Sequence, residues 1–211
     1  MLLIETFPVG LLQCNCSVIA CEHTKEAIII DPGGDADKIM EVVRHYDLKV
    51  THLLHTHAHF DHIGASRTIK EKTGAPIYLH PGDETMYYQI KMQASLFGLS
   101  AEDPSPIDHF LSHQQSLSFG QEKTLTFHTP GHSPGSCCFH LETPDQKFLF
   151  SGDTLFKKSI GRTDLWGGSL PTILHSIKTT LFTLPEEVVV IPGHGPETSI
   201  GAEKAKNPFV R

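Results

Sequence analysis

His57-Ala58-His59-Phe60-Asp61-His62 comes just after the apolar run Val50 to Leu54. Four of these six side chains are imidazoles or carboxylates, the donors that bind metal ions. Such density behind a strand-like run reads as a metal site built where a buried strand ends. Mixed nitrogen and oxygen donors suit zinc, iron or manganese better than calcium or magnesium, which prefer oxygen.

Three more fragments each set a donor in a glycine-rich turn after a strand-like run: Thr129-Pro130-Gly131-His132-Ser133-Pro134-Gly135, Ser151-Gly152-Asp153-Thr154 and Ile191-Pro192-Gly193-His194-Gly195-Pro196. Glycine and proline hold tight turns, so a His or Asp inside one is aimed by stiff backbone. The donors then number seven: His57, His59, Asp61, His62, His132, Asp153 and His194. That is too many for one tetrahedral zinc. It suits two divalent ions sharing a carboxylate, a pair that sits roughly 3.5 to 4 Å apart.

In these motifs and their order the chain resembles the metallo-β-lactamase superfamily, and within it the glyoxalase II-like hydrolases, from about Phe7 to Pro208. The resemblance implies an α/β fold, a four-layer αββα sandwich with metals at one edge between its sheets. It implies His57, His59 and His132 on one metal, Asp61, His62 and His194 on the other, and Asp153 bridging the two. Zinc is the leading choice, with iron and manganese also compatible.

The implied activity is hydrolysis of a thioester, S-lactoylglutathione or a related acyl thiol, by a hydroxide held between the metals and oriented by Asp61. Zinc lowers the pKa of bound water to about 7, and a thiolate leaves without strong acid help. The alternative is a mononuclear iron persulfide dioxygenase. Those enzymes share Gly161-Arg162-Thr163-Asp164 and would use the positions of His57, His132 and Asp153, but the turn Gly193-His194-Gly195-Pro196 favours the two-metal hydrolase. Zinc β-lactamases of the best-known type carry cysteine where Asp153 stands, which argues against antibiotic hydrolysis. The chain resembles the compact bacterial type, without the helical extension and Lys-Phe-Tyr segment that help hold glutathione. Arg162 is the candidate to grip a substrate carboxylate through paired hydrogen bonds, and an internal pair with Asp164 is the competing role.

Fifteen histidines occur in 211 residues, so many are not ligands. His23, His45, His109, His113 and His175 read as surface or hydrogen-bonded residues, and His52, His80, His128 and His140 as neutral residues flanking the motif-bearing strands. His55, two residues before His57, is expected to make buried hydrogen bonds rather than bind metal. Asp31, in Asp31-Pro32-Gly33-Gly34, is either a turn residue or a support for a ligand loop. Five cysteines without a CxxC pair read as small core residues in a reducing compartment.

Length and a 39% hydrophobic fraction fit one enzyme domain over residues 1–211. A formal net charge of -7, without a dense basic tract, speaks against nucleic acid as a partner. No run of about 18 apolar residues is present, so no membrane span is expected. Met1 to Leu12 is apolar but has no basic lead and is broken by Glu5 and Pro8, so the expected location is the cytoplasm.

Strand-like runs are Ser17 to Cys21, Ala27 to Ile30, Val50 to Leu54, Ile77 to Leu79, Thr124 to Phe127, Phe148 to Phe150 and Val188 to Ile191. Helical periodicity covers Ala36 to Tyr46 and Pro171 to Leu184. Ser100 to Gln115 reads as a surface excursion that could wall the mouth of a site.

Overall fold

The structure, a computed structural model, describes residues 2–210; Met1 and Arg211 lie outside the described residues. The first sheet runs β1 (Leu2–Val9), β2 (Cys14–Cys21), β3 (Glu26–Ile30), β4 (Lys49–Leu54), β5 (Ile77–Leu79) and β6 (His109–Phe110), neighbours in that order. Its first three strands are antiparallel, and from β3 onward the pairing is parallel. The second half supplies β7 (Ser116–Phe119), β8 (Glu122–His128), β9 (Cys137–Glu142) and β10 (Lys147–Gly152). After a small hairpin of β11 (Leu155–Phe156) and β12 (Ser159–Ile160) come β13 (Val189–Pro192) and β14 (Thr198–Ser199). The second sheet has the order β14-β13-β10-β9-β8-β7, with β10 and β13 parallel.

Period-two alternation explains the layering, because successive strand side chains point to opposite faces. Ile28 and Ile30 of β3 and Leu54 of β4 join Phe139 of β9, Phe150 of β10 and Ile191 of β13 in a core between the sheets. Their neighbours Ile29 and Leu53 point the other way, onto α1 (Ala36–His45), α2 (Phe60–Ile63), α3 (Ser66–Thr73), α4 (Glu84–Tyr87) and α5 (Ile90–Leu96), through Ile39, Ile63, Ile69, Tyr87 and Ile90. Cys138, Leu149 and Val190 meet α6 (Leu170–Thr179) and α7 (Ile200–Lys206) through Ile173, Ile177 and Ile200. Helices thus cover the outer face of each sheet, the expected αββα sandwich. Strands buried on both faces carry near-continuous apolar runs, as β2 and β3 do.

Each strand-like run lies within an observed strand except at Val188, which precedes β13 by one residue, and α1 ends at His45, one residue short of its expected span. The second helical segment ends earlier: α6 stops at Thr179, and Leu181–Thr183 forms a 3₁₀ turn. Ser100 to Gln115 corrects an expectation. It supplies the edge strand β6 and the buried Leu111, and none of it lines the cavity beside Asp61, Asp153 and His194. Asp108 accepts from the Ile77 backbone and from Lys70, so the segment is stitched along the sheet edge rather than across the mouth.

Candidate metal centre

All the candidate ligands leave the carboxyl ends of strands at one edge of the sandwich, where α/β sheets place their ligands. The stretch His57 to His62 follows β4, His132 follows β8, Asp153 follows β10 and His194 follows β13. One nitrogen each from His57, His59 and His132 lies within 4.8 Å of the other two, and so do a carboxylate oxygen of Asp61 and one nitrogen each from His62 and His194. Asp153 stands between these trios. Its Oδ2 is 3.5 Å from His132 Nε2, and its Oδ1 is 3.5 Å from His62 Nε2 and 3.9 Å from His194 Nε2. Asp61 Oδ2 is 3.2 Å from His194 Nε2. The structure therefore brings the seven side chains into the two groups that the resemblance implied, with the carboxylate of Asp153 facing both.

A metal fits this donor set on grounds of its own. His57 Nε2 and Asp153 Oδ1 are buried without a hydrogen-bond partner, which is costly unless something else satisfies them. Neutral imidazoles with inward lone pairs are what a cation needs. Burial, together with the charges of neighbouring histidines, holds His57 well below the usual imidazole range. Burial and His132 push His59 down to about 3. Although burial opposes its charge, His62 and His194 hold the Asp61 carboxyl well below the usual carboxylate range.

The far nitrogens are fixed by a shell of partners. His57 Nδ1 donates to Thr56 Oγ1 at 3.0 Å, and that hydroxyl donates to Asp31 Oδ2 at 2.6 Å. Asp31 also accepts from the Thr56 backbone N–H at 2.8 Å and from His62 Nδ1 at 2.9 Å. One buried carboxylate thus turns the Nε2 atoms of two ligands inward, the carboxylate–histidine arrangement that sets tautomer and basicity. Asp31 is the support for a ligand loop, the second of its two readings, and its backbone takes a left-handed φ of 51° to reach there. Burial works against charge on His62, yet Cys14, Asp61, Asp153 and Asp31 hold its pKa well above the ordinary value. Burial pushes the Cys14 thiol up to about 12, so the carboxylates carry that effect at neutral pH.

His132 Nδ1 donates to the Arg162 carbonyl at 2.8 Å. His55 takes the expected role: its Nδ1 donates to the Tyr78 carbonyl at 3.1 Å and its Nε2 accepts from Ser66 at 2.6 Å, away from the metal donors. The five cysteines are free and buried, as core residues.

Residues that sequence reading missed tie the ligand loops together. Buried Asp83 accepts from the backbone N–H groups of Ala58 (3.0 Å) and Gly135 (2.6 Å) and from Ser133 Oγ (2.7 Å), joining the first motif to the His132 turn. Burial pushes its carboxyl up against these three donors. Asn15 donates its side-chain amide to the carbonyls of Pro192 and Gly195, each at 2.9 Å, clamping the His194 turn from β2. Gly193 permits that turn to close, since a Cβ there would collide with the Asp153 carboxylate and the His62 ring.

The donors open into a cavity of about 660 Å³ whose walls include Leu12, Phe60, Met86, Leu96, Phe97 and Trp166. Arg162 lines it too, but Asp164 engages the guanidinium through both Nε and Nη2, each at 3.0 Å. Carboxylate capture by Arg162 would require that pair to open.

A family model described as the metallo-beta-lactamase superfamily matches residues 9–194. The chain belongs to the metallo-β-lactamase superfamily. Within this superfamily it is 40% identical to "Probable metallo-hydrolase YqgX" of Bacillus subtilis, over 96% of this chain and 95% of that protein. It is 38% identical to hydroxyacylglutathione hydrolase GloC of Haemophilus influenzae, over 98% and 97%. The solved structure of the BLEG-1 B3 metallo-beta-lactamase superposes with a TM-score of 0.91 at 40% identity and covers 99% of each chain. TTHA1623 in a di-iron-bound form gives 0.87 at 36% identity, covering 97% of this chain and 99% of that one. No helix among the described residues is long and apolar enough to cross a membrane.

Proposed function

We propose that this protein is a dinuclear metal hydrolase of thioesters, S-lactoylglutathione or a related acyl thiol. The observation that carries the reading is the pair of donor trios about Asp153, opening into a cavity large enough for a small organic substrate. The 38% identity to a hydroxyacylglutathione hydrolase supports the substrate class, and the similarity to a di-iron protein keeps iron beside zinc and manganese. Bound divalent metals would acidify a water to near neutral pKa and polarise the substrate carbonyl. His57, His59 and His132 would hold one ion, Asp61, His62 and His194 the other, and Asp153 would be shared.

The residues do the rest. Asp61, on the cavity wall, accepts a hydrogen bond from the attacking water and aims its oxygen at the carbonyl carbon. Asp31 keeps the imidazoles of His57 and His62 in one tautomer through the cycle, directly or through Thr56. A carbon–oxygen bond forms, the carbon–sulfur bond breaks, and one water is consumed to give a carboxylic acid and a thiol. The substrate is a small-molecule thioester, with no nucleic acid or membrane partner.

The test is metal analysis of the purified protein alongside a thioester hydrolysis assay. Close to two ions per chain and turnover that falls at least about a hundredfold in Asp61→Asn are expected. One ion per chain with oxygen uptake on glutathione persulfide would replace this reading with the iron dioxygenase. The similarity to a B3 metallo-beta-lactamase supports a second substrate, the β-lactam ring, and nitrocefin cleavage faster than thioester cleavage would establish it.

A further inference from the structure

The walls around the metal donors are apolar, exposed and anchored. One wall is the end of α5 with the turn behind it, where Leu96 is 79% and Phe97 57% exposed. Another part of the lining is the loop after Arg162, where Trp166 is 55% exposed. Large side chains left in water at these levels call for an apolar occupant.

Neither wall is a loose loop tip. Gln93 of α5 is buried, donates Nε2 to the carbonyls of Ala58 (3.0 Å) and Met86 (2.8 Å), and accepts the Phe60 N–H at 3.1 Å. That ties α5 to the first ligand motif, and Phe97 leans on Phe60 with ring centroids 5.0 Å apart. The Trp166 loop is tied to the other motif by the bond from His132 to the Arg162 carbonyl and by Ser169 N–H to the Gly131 carbonyl at 2.8 Å. The walls are therefore held in register with the reacting centre.

Charge points the same way. Among the cavity-lining residues Arg162 is the one Lys or Arg, and Asp164, itself on the lining, forks onto it. Outside the histidines of the donor set, nothing on these walls offers an unpaired cation to a substrate carboxylate. A glutathione conjugate carries two carboxylates.

We propose that the site prefers thioesters whose acyl group is an uncharged apolar chain or ring, lodged against the cavity walls that carry Phe97 and Trp166, over the anionic lactoylglutathione type. This rests on the thioester reading above; the reaction is the same hydrolysis, thioester plus water giving acid plus thiol.

The experiment uses the metal-loaded protein and S-acyl-N-acetylcysteamine thioesters from acetyl to octanoyl, with S-lactoylglutathione as the anionic comparison. kcat/KM should rise about three- to fourfold per added methylene until the wall is filled, and the octanoyl compound should exceed S-lactoylglutathione. Phe97→Ala and Trp166→Ala, at exposed positions, should flatten that slope. Binding is read separately, because Trp166 is the protein's sole tryptophan. The non-hydrolysable thioether S-octyl-N-acetylcysteamine should shift its emission to the blue, at lower concentration than S-octylglutathione does. A flat chain-length slope, or tighter binding of the glutathione thioether, overturns the preference while leaving thioester hydrolysis standing. Absence of turnover on every thioester, with the emission shift intact, overturns the reaction and leaves an apolar binding site.

Discussion

The metal centre and the mouth above it are built by opposite rules. At the centre, His57 and His62 are buried, and each reaches the carboxylate of Asp31, His62 directly and His57 through Thr56. At the mouth, Leu96, Phe97 and Trp166 stand in solvent with apolar surface outward. Buried polar atoms must find partners, so the centre is over-determined and its parts fail together. Exposed apolar walls carry little folding energy, so they are free to vary with substrate. On the function proposed above, the difference assigns reaction to one layer and selectivity to the other.

The sharpest way to break that division is Asp153→Ala. Loss of the carboxylate between the two trios should release most of both metals and lower turnover by at least about a hundredfold, read by metal analysis and by assay at saturating zinc. Full metal content in that variant would mean that Asp153 is not shared. Asp31→Asn comes next: metal affinity should fall about ten- to a hundredfold, as when a ligand's orienting partner is weakened, whereas Phe97→Ala should leave metal affinity where it was. Competition with a chromogenic chelator measures both, and a mouth variant that weakens metal binding would erase the distinction between layers.

Asp83→Asn is a milder break. One oxygen in place of two cannot accept from Ala58, Gly135 and Ser133 together, so a buried donor loses its partner at a cost of about 1–3 kcal/mol. Denaturant unfolding of the metal-free protein should register that loss.

The smallest effect concerns pH. His80 stacks on His128 with ring centroids 3.8 Å apart, and burial and that neighbour push it down to about 4 from an ordinary 6.5. A depressed folded pKa means that the unfolded chain takes up the proton first. The contribution is therefore complete above pH 6.5 and is lost as pH falls toward 4. His80→Phe should make the decline of Tm across that window shallower, and an unchanged slope would remove His80 from the account.

The centre was legible in the sequence because its donors are dense and each sits in a glycine-rich turn at a strand end. Even Asp31 stood out, by the Pro-Gly-Gly that follows it. Asp83 and Asn15 did not, since a single acid or amide gains its meaning from backbone groups far along the chain. Gln93 was hidden in the same way. Strands β1 and β9 were missed for another reason: Leu2–Val9 mixes apolar and charged residues without clean alternation, and Cys137–Glu142 has both faces covered, so its pattern lacks a polar side. The mouth was least legible, because Leu12, Phe97 and Trp166 come from three distant loops and only the fold places them around one cavity.

The ligand set also crosses between the sheets. His57, His59, Asp61 and His62 belong to the first, while His132, Asp153 and His194 belong to the second, and His62 meets His194 across 132 residues of chain. An ion gripped from both sides acts as a reversible rivet through the sandwich, closing a long loop that the denatured chain would otherwise leave open. Such an ion would resist sliding or parting of the layers while it was held. The same residues that would perform the chemistry would then also set how far the two halves can breathe.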